Sequence, residues 1–393
     1  MTPLALDAKS QADTTKAEVL TEAIVSGVRA QKNAPYAVAN VGRKALQDFS
    51  GTGKELPFLL STTPGVLSWS GNGLGIGTSY LRIRGAGDSR INVTVDGVPL
   101  NSPEDQCVFW ANMNSYSALM ESVQIQRGVG SSTNGDGAFG GSVALRTKAP
   151  SYDPFVELNA SYGSYNTYNT GFSMSTGLLG NHFVADAAFH TTGTDGYIHG
   201  TAGKSGSWYA GLNWIGRDFI IRYRNIGNYE HTGQAWNGVT AGTDDLSIMD
   251  GTYGKNTGIK TYADMYREGL GKFNSLYESM DPKTYETTRY TLNDGSYWPK
   301  TTDNFWQDHN ILSAAWNINE NLKTTLSLHY TYGYGYYDEF KPDSKVSKFG
   351  FDMVKSNGKP LRSDFVRQKG LSQNAAGVVY NISYNNNGWD VIG

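Results

Sequence analysis

A single cysteine, Cys107, among 393 residues excludes an intrachain disulfide and any cysteine-rich zinc site. No run of about 18 apolar residues occurs, so no membrane-spanning helix is encoded. Strands are the other way to cross lipid, and they leave only short segments with apolar residues at every second position. There are 33 Lys and Arg against 36 Asp and Glu, a net charge of -3, so the basic field of a nucleic-acid binder is missing. His182, His190, His199, His231, His309 and His329 fall in no H-E-x-x-H pattern, and neither C-x-x-C nor G-x-S-x-G occurs. No catalytic residue, metal site or cofactor is therefore assigned. The opening stretch MTPLALDAKSQADTTKAEVL has neither a charged leader region nor a continuous apolar one, so an export signal, if used, is expected upstream or already removed. Glycine (47), tyrosine (25) and tryptophan (9) are plentiful while 39% of residues are hydrophobic, a balance unlike that of an ordinary soluble enzyme.

One motif argues for an enzyme at first sight. GDGAFG (135–140) has the G-x-G-x-x-G spacing of a dinucleotide loop, and Asp153 and Glu157 follow at roughly the required distance. That reading needs a helix after the glycines, with its N-terminus on the phosphate. GSVALRTK (141–148) alternates instead and predicts a strand, so the motif is expected to join two strands.

The chain changes character near Ala149-Pro150. Before it, helical stretches (KALQDF, 44–49; KELPFLLS, 54–61; SYSALMES, 115–122, with Ser115 as a possible cap) mix with strand-like runs at 80–85, 91–98, 122–128 and 141–148. This predicts an α+β domain. Beyond Pro150 the pattern is almost wholly period two. In KTTLSLHYTYGYGYY (323–337), Leu326, Leu328, Tyr330, Tyr332, Tyr334 and Tyr336 share one face, and Thr325, Ser327, His329 and Thr331 the other. HFVADAAFHT, SWYAGLNWI, DFIIRYRNI and GVVYNISY repeat the alternation, and His182, Asp186 and His190 are expected on a wet inner face. Tight connections (178–181, 216–217) contrast with a long aperiodic segment, 228–302. Long strands, short turns at one rim and long loops at the other describe an antiparallel transmembrane β-barrel.

The first domain resembles the plug of TonB-dependent outer-membrane receptors. KELPFLLSTTPGVLSW, SYLRIRGAG, INVTVDGVPL and MESVQIQRGVGSSTNGDGAFGGSVALRTKAP carry the likeness, in order, across residues 40–150. YEHTGQAWNGV (229–239) and LSLHYTYGYGYYDEFKPD (326–343) extend it into the barrel. The resemblance implies an N-terminal extension (1–39), a plug (40–150) and the N-terminal portion of a 22-stranded barrel (151–393), of which about the first nine or ten strands are present. Because the chain stops at GWDVIG, inside a strand-like run, the expectation is of a portion of a longer receptor.

The same resemblance implies energised uptake across the outer membrane of a Gram-negative bacterium, with TonB and the ExbB-ExbD complex as partners. The TonB box is placed in LTEAIVSG (20–27), at Glu22, Ala23, Ile24, Val25 and Ser26, as a segment that adds to TonB as a strand. Arg84 and Arg127 match the family's two plug arginines, which latch to barrel glutamates. The outward loops 68–79 and 100–114 would meet the ligand through Trp69, Asn72, Tyr80, Gln106, Phe109 and Trp110. The arginine-glycine form IQRG favours a ferric siderophore or similar chelate over an oligosaccharide, with cobalamin and haem as further alternatives.

Overall fold

The structure, a computed structural model, describes residues 29–30, 35–130, 137–237, 262–281, 283–351, 353–355 and 357–393. In the first domain β1 (Ala37–Gly42), β4 (Ile91–Val95), β5 (Val98–Pro99), β6 (Met120–Arg127) and β7 (Gly141–Thr147) form one sheet in the order β1-β6-β7-β4-β5. Only β4 and β7 run parallel. Both are buried along their whole length, which is why VALR and INVTV carry no polar face to read. A hairpin of β2 (Val66–Ser70) and β3 (Ser79–Ile83) and the short helices α1 (Arg43–Ser50), α2 (Pro57–Leu60) and α3 (Tyr116–Leu119) complete the domain. Ser115 does not cap α3, because its hydroxyl donates to Asn114 Oδ1.

β6 and β7 pair antiparallel, so GDGAFG lies between two strands and meets no helix. Gly135 falls outside the described residues. Gly140 and Gly141 are glycines for a local reason: a Cβ at the first would strike Ala86, and at the second the Gln126 carbonyl. The crowding is within the domain rather than against a surrounding wall.

Nine antiparallel strands form the second sheet: β8 (Pro154–Gly163), β9 (Thr167–Thr176), β10 (Phe183–Thr194), β11 (Gly203–Ile215), β12 (Phe219–Gly233), β15 (Thr302–Asn317), β16 (Leu322–Lys345), β17 (Arg362–Asn386) and β18 (Trp389–Ile392). Each pairs with its successor, and β8 and β18 are the sheet edges. The turns at 177–182, 216–218, 318–321 and 387–388 share one rim, and the connections at 195–202, 234–301 and 346–361 share the other. The long connection has structure of its own. Residues 262–301 contain helix α4 (Tyr262–Arg267), a hairpin of β13 (Glu278–Met280) and β14 (Thr287–Arg289), and a small core of Met265, Leu270 and Phe273.

This wall is apolar outside and polar inside. On β16 Leu326, Leu328 and the four tyrosines of the same face are 37–46% exposed, while Thr325, Ser327 and Thr331 are 4–8% exposed. A leucine left 40% in water forgoes on the order of 1 kcal/mol. Summed over the outward residues of the long strands, that exceeds the roughly 5–15 kcal/mol by which a domain is stable, so the face requires an apolar solvent. Trp306 and Trp316 project outward ten positions apart on β15. At about 3.3 Å per residue and a tilt near 40° they stand about 25 Å apart along the membrane normal, the height of an outer-membrane apolar band. Polar residues that face outward near Trp306 are self-satisfied. Asn225 donates to Asp308 and Asn310, and the Trp208 and Trp306 indoles donate to Asn225 and Asp308. Trp208 lies across Gly227, where a Cβ would collide with the ring.

The inner face meets the first domain directly, and Ala188, Ile226 and Ile311 of the wall belong to that domain's own apolar core. His190 is consequently buried, not solvated. Leu328→Arg should therefore lower the stability of the receptor in phospholipid vesicles by about 2–4 kcal/mol in a urea titration. Unchanged or higher stability would mean that this face meets water.

Candidate functional site

Three regions of the first domain bear on function: its hairpin tip, its contact with the wall, and its arginine corner. At the tip, Trp69 pairs with Tyr80 across β2 and β3, and their rings stack at 5.1 Å. The Arg82 guanidinium lies 5.6 Å from the Trp69 ring. Trp69 remains 39% exposed, so its outer face is open to a planar group. Asn72 is buried instead. Its Oδ1 accepts from Leu74 and Gly75 N–H at 2.9 and 3.2 Å and from Ser70 Oγ, which fixes the turn. The hairpin reaches the long-loop rim: Thr78 Oγ1 bonds Gln234, and Gly73 packs beside Tyr197.

Gln106 and Phe109 lie on a separate loop between β5 and α3. Both are exposed, and Gln106 adopts a left-handed backbone with φ 60°. Trp110 corrects the sequence expectation. It is 1% exposed within the domain core, so it supports the loop from below and presents no face to a ligand.

Where the first domain touches the wall, a buried ion pair dominates. Asp96, in the turn between β4 and β5, pairs with Arg224 of β12, and both side chains are essentially inaccessible. Asp96 also accepts from Thr147 N–H at 2.9 Å and Thr147 Oγ1 at 2.6 Å. Arg224 reaches on to Ser313 of β15, which bonds Ser327 of β16 at 2.8 Å. Its neighbour Arg222 donates to Asn213 Oδ1 at 3.0 Å and to the Lys148 carbonyl at 2.8 Å. Asn213 in turn donates to Asp186 at 2.9 Å. One network thus ties the end of β7 to five neighbouring wall strands. Burial alone would raise Asp96, but Arg224, Arg222 and the Thr147 bonds outweigh it and hold the carboxyl below its ordinary value. A depressed carboxyl contributes stability above its unfolded value, about 3.9, and that contribution fades only as the pH falls below it. The sequence showed Asp96 as a hairpin-turn residue and Arg222 and Arg224 as one polar face. Two arginines spaced by two on the inner face of a strand were the available signal.

Arg84 and Arg127 come together at a corner. Arg84 N–H donates to the Gly65 carbonyl at 2.8 Å, and Arg127 Nη1 donates to the Pro64 carbonyl at 2.7 Å. A Cβ built at Gly128 would lie 2.7 Å from Arg84 Nη1, so the guanidinium flanks that strand end. Among the described residues neither arginine forms an ion pair. Glu22, Ala23, Ile24, Val25 and Ser26 lie outside the described residues. The first described residues, Arg29 and Ala30, are bonded to Ser122, Gln124 and Ala144, at the end of the domain where the chain passes toward β8 and the short-turn rim.

Residues 30–142 match the family model described as TonB-dependent Receptor Plug Domain. The first domain is a TonB-dependent receptor plug. The plug and sheet together are similar in fold to the ferric-catecholate import receptor Fiu of E. coli K12 (TM-score 0.60, 14% identity, covering 91% of this chain and 45% of that one). They are also similar to the siderophore receptor PiuA of Acinetobacter baumannii (0.59, 15%, 92% and 44%) and to the copper transporter OprC (0.59, 12%, 93% and 46%). The chain thus spans less than half the length of these structures, and at such identities the likeness is one of fold. No curated protein matches the chain in sequence.

Removing the Asp96 charge tests the plug's anchorage. Asn tolerates the left-handed backbone at this position, φ 47°. Asp96→Asn leaves Arg224 buried without its counterion and should destabilise the folded receptor by about 3–5 kcal/mol in denaturant titration. Arg84→Gln, at an exposed position, should stay within about 0.5 kcal/mol. Equal effects would deny the Asp96 pair its role.

Proposed function

We propose that this chain supplies the plug and the first wall strands of a TonB-dependent receptor in the outer membrane of a Gram-negative bacterium. The receptor imports a ferric siderophore or similar metal chelate. The observation that carries the reading is a wall with its apolar face outward whose polar inner face is bonded to a plug. Such a wall crosses lipid with every strand paired to its neighbour, and a filled lumen blocks free diffusion. Passage then requires that the plug be moved, which needs work delivered from the inner side.

A chelate is supported by the IQRG form of the plug and by neighbours that are named as siderophore receptors. The exposed Trp69 face, backed by Tyr80 and Arg82, suits a planar or anionic ligand. The position of Arg29 supports a TonB box at residues 20–27 on the periplasmic side, because the chain enters the plug at the short-turn end. Strand addition uses backbone N–H groups of that segment, and TonB with ExbB-ExbD would supply the force.

Deleting the gene should abolish growth on at least one defined siderophore under iron limitation. Unchanged use of every iron chelate, with lost cobalamin or sugar uptake, would overturn the ligand assignment. Ile24→Pro in the full-length receptor should abolish energised uptake while ligand binding persists. Normal transport by that variant would remove residues 20–27 from the mechanism.

A further inference from the structure

The tip of the plug meets the wall through acids that have no counterion. Glu55, just before α2, is 1% exposed; its Oε1 accepts from Gly77 N–H at 2.5 Å, and its Oε2 has no partner. Gly77 abuts the wall, since a Cβ built there would lie 3.7 Å from Thr232 Cβ. Thr232 Oγ1 donates to Glu230 Oε2 at 3.0 Å and accepts from Gln234 Nε2 at 2.9 Å. Glu230 is 6% exposed and within electrostatic reach of both Glu55 and Asp303, the residue opposite Thr232 on β15. Ser205, opposite Glu230 on β11, is 2% exposed and its hydroxyl is also unpartnered.

The surrounding charges are directed elsewhere. Lys54 sits over the Phe58 ring, Lys300 donates to the Ala202 carbonyl, and His199 pairs with Glu278. Lys204 and His231 occupy the outward face, and Tyr337 stands opposite Asp303. Further along β16 Glu339 shows the contrasting case, since it is held by both Lys341 and Arg367. Among the described residues none of Glu55, Glu230 and Asp303 forms an ion pair. Three grouped carboxyls shut from water without a cation cannot all be charged, because each unpaired ion would cost several kcal/mol.

We infer that the β2–β3 hairpin is docked on the wall through protonated carboxyl groups, Glu55 of the plug with Glu230 and Asp303 of the wall, so that loss of their protons releases the hairpin. Burial pushes Glu55 up to about 8, against the opposing effect of its Ser79 and Gly77 bonds. A carboxyl raised in this way favours the docked form fully below its free value, about 4.5. That preference is lost as the pH rises through about 8. By linkage, a ligand that binds the lifted hairpin discharges protons into the medium, and it binds more tightly as the pH rises. This coupling to ligand rests on the reading of the hairpin tip as the ligand-facing mouth; the docking itself does not.

The test uses the full-length receptor in lipid nanodiscs, free of other reactive cysteines, with nitroxides at Leu74→Cys on the hairpin and Lys204→Cys on the wall. Pulsed electron–electron resonance without ligand should give one short distance at pH 6 and a growing longer population toward pH 9. The docked fraction should fall by up to about tenfold per pH unit for each linked proton. Glu55→Gln with Glu230→Gln, which mimics the protonated pair, should hold the short distance throughout. Identical distributions at pH 6 and 9, or an undiminished pH response in that double variant, would overturn the inference. Uptake assays are separate: a receptor that imports no iron chelate yet shows the distance change defeats the transport proposal and sustains this one.

Discussion

The polar inner face of the wall must be satisfied by something other than lipid, and much else in the structure follows from that constraint. Strands with apolar outward residues place threonine, serine, asparagine and arginine on the inside at every second position. Arg222 and Arg224 are the extreme case, since two fully buried guanidinium groups are tenable only with carboxylate and carbonyl partners. Asp96, Thr147 and the Lys148 carbonyl provide them from the plug. The plug is thus a structural component of the wall at this level as well as an obstruction of its lumen.

The anchorage is uneven. The β4, β5 and β7 side of the plug sheet is tied by the Asp96 network close to the short-turn rim. The Arg84–Arg127 corner is held by main-chain carbonyls of Pro64 and Gly65, and no carboxylate among the described residues meets it. The hairpin tip leans on the wall through neutral and acidic groups instead of ion pairs. These contacts differ in their response to acid: Asp96 stays charged well into acid, whereas Glu55 is neutral under the same conditions.

The fold was legible where one residue decides its own environment. Period-two alternation is a local consequence of the pleat, so Leu326 and Thr325 announce opposite faces without reference to any partner. GSVALRTK likewise announced a strand, which removed the dinucleotide reading. The Asp96–Arg224 pair was not legible, because its partners are separated by 128 residues and Asp-Gly already has a sufficient explanation as a turn. Trp110 was misplaced for a related reason: an aromatic in a glycine-poor loop looks the same in sequence whether it faces ligand or core. His190 was read as solvated because an isolated wall would have a wet lumen, and here the plug occupies that space. The structured part of the long loop was missed because α4, β13 and β14 are too short to show a period.

The central claim is that the outward face of the wall lies in lipid while the plug lies inside it. Single-tryptophan forms of the full-length receptor, keeping only Trp306, Trp316 or Trp110, can be reconstituted in vesicles containing phospholipids brominated at defined acyl depths. Trp306 and Trp316 should be quenched most by shallow bromines, and Trp110 should be quenched neither by brominated lipid nor by aqueous iodide. Quenching of Trp306 and Trp316 by iodide but not by brominated lipid would contradict the account.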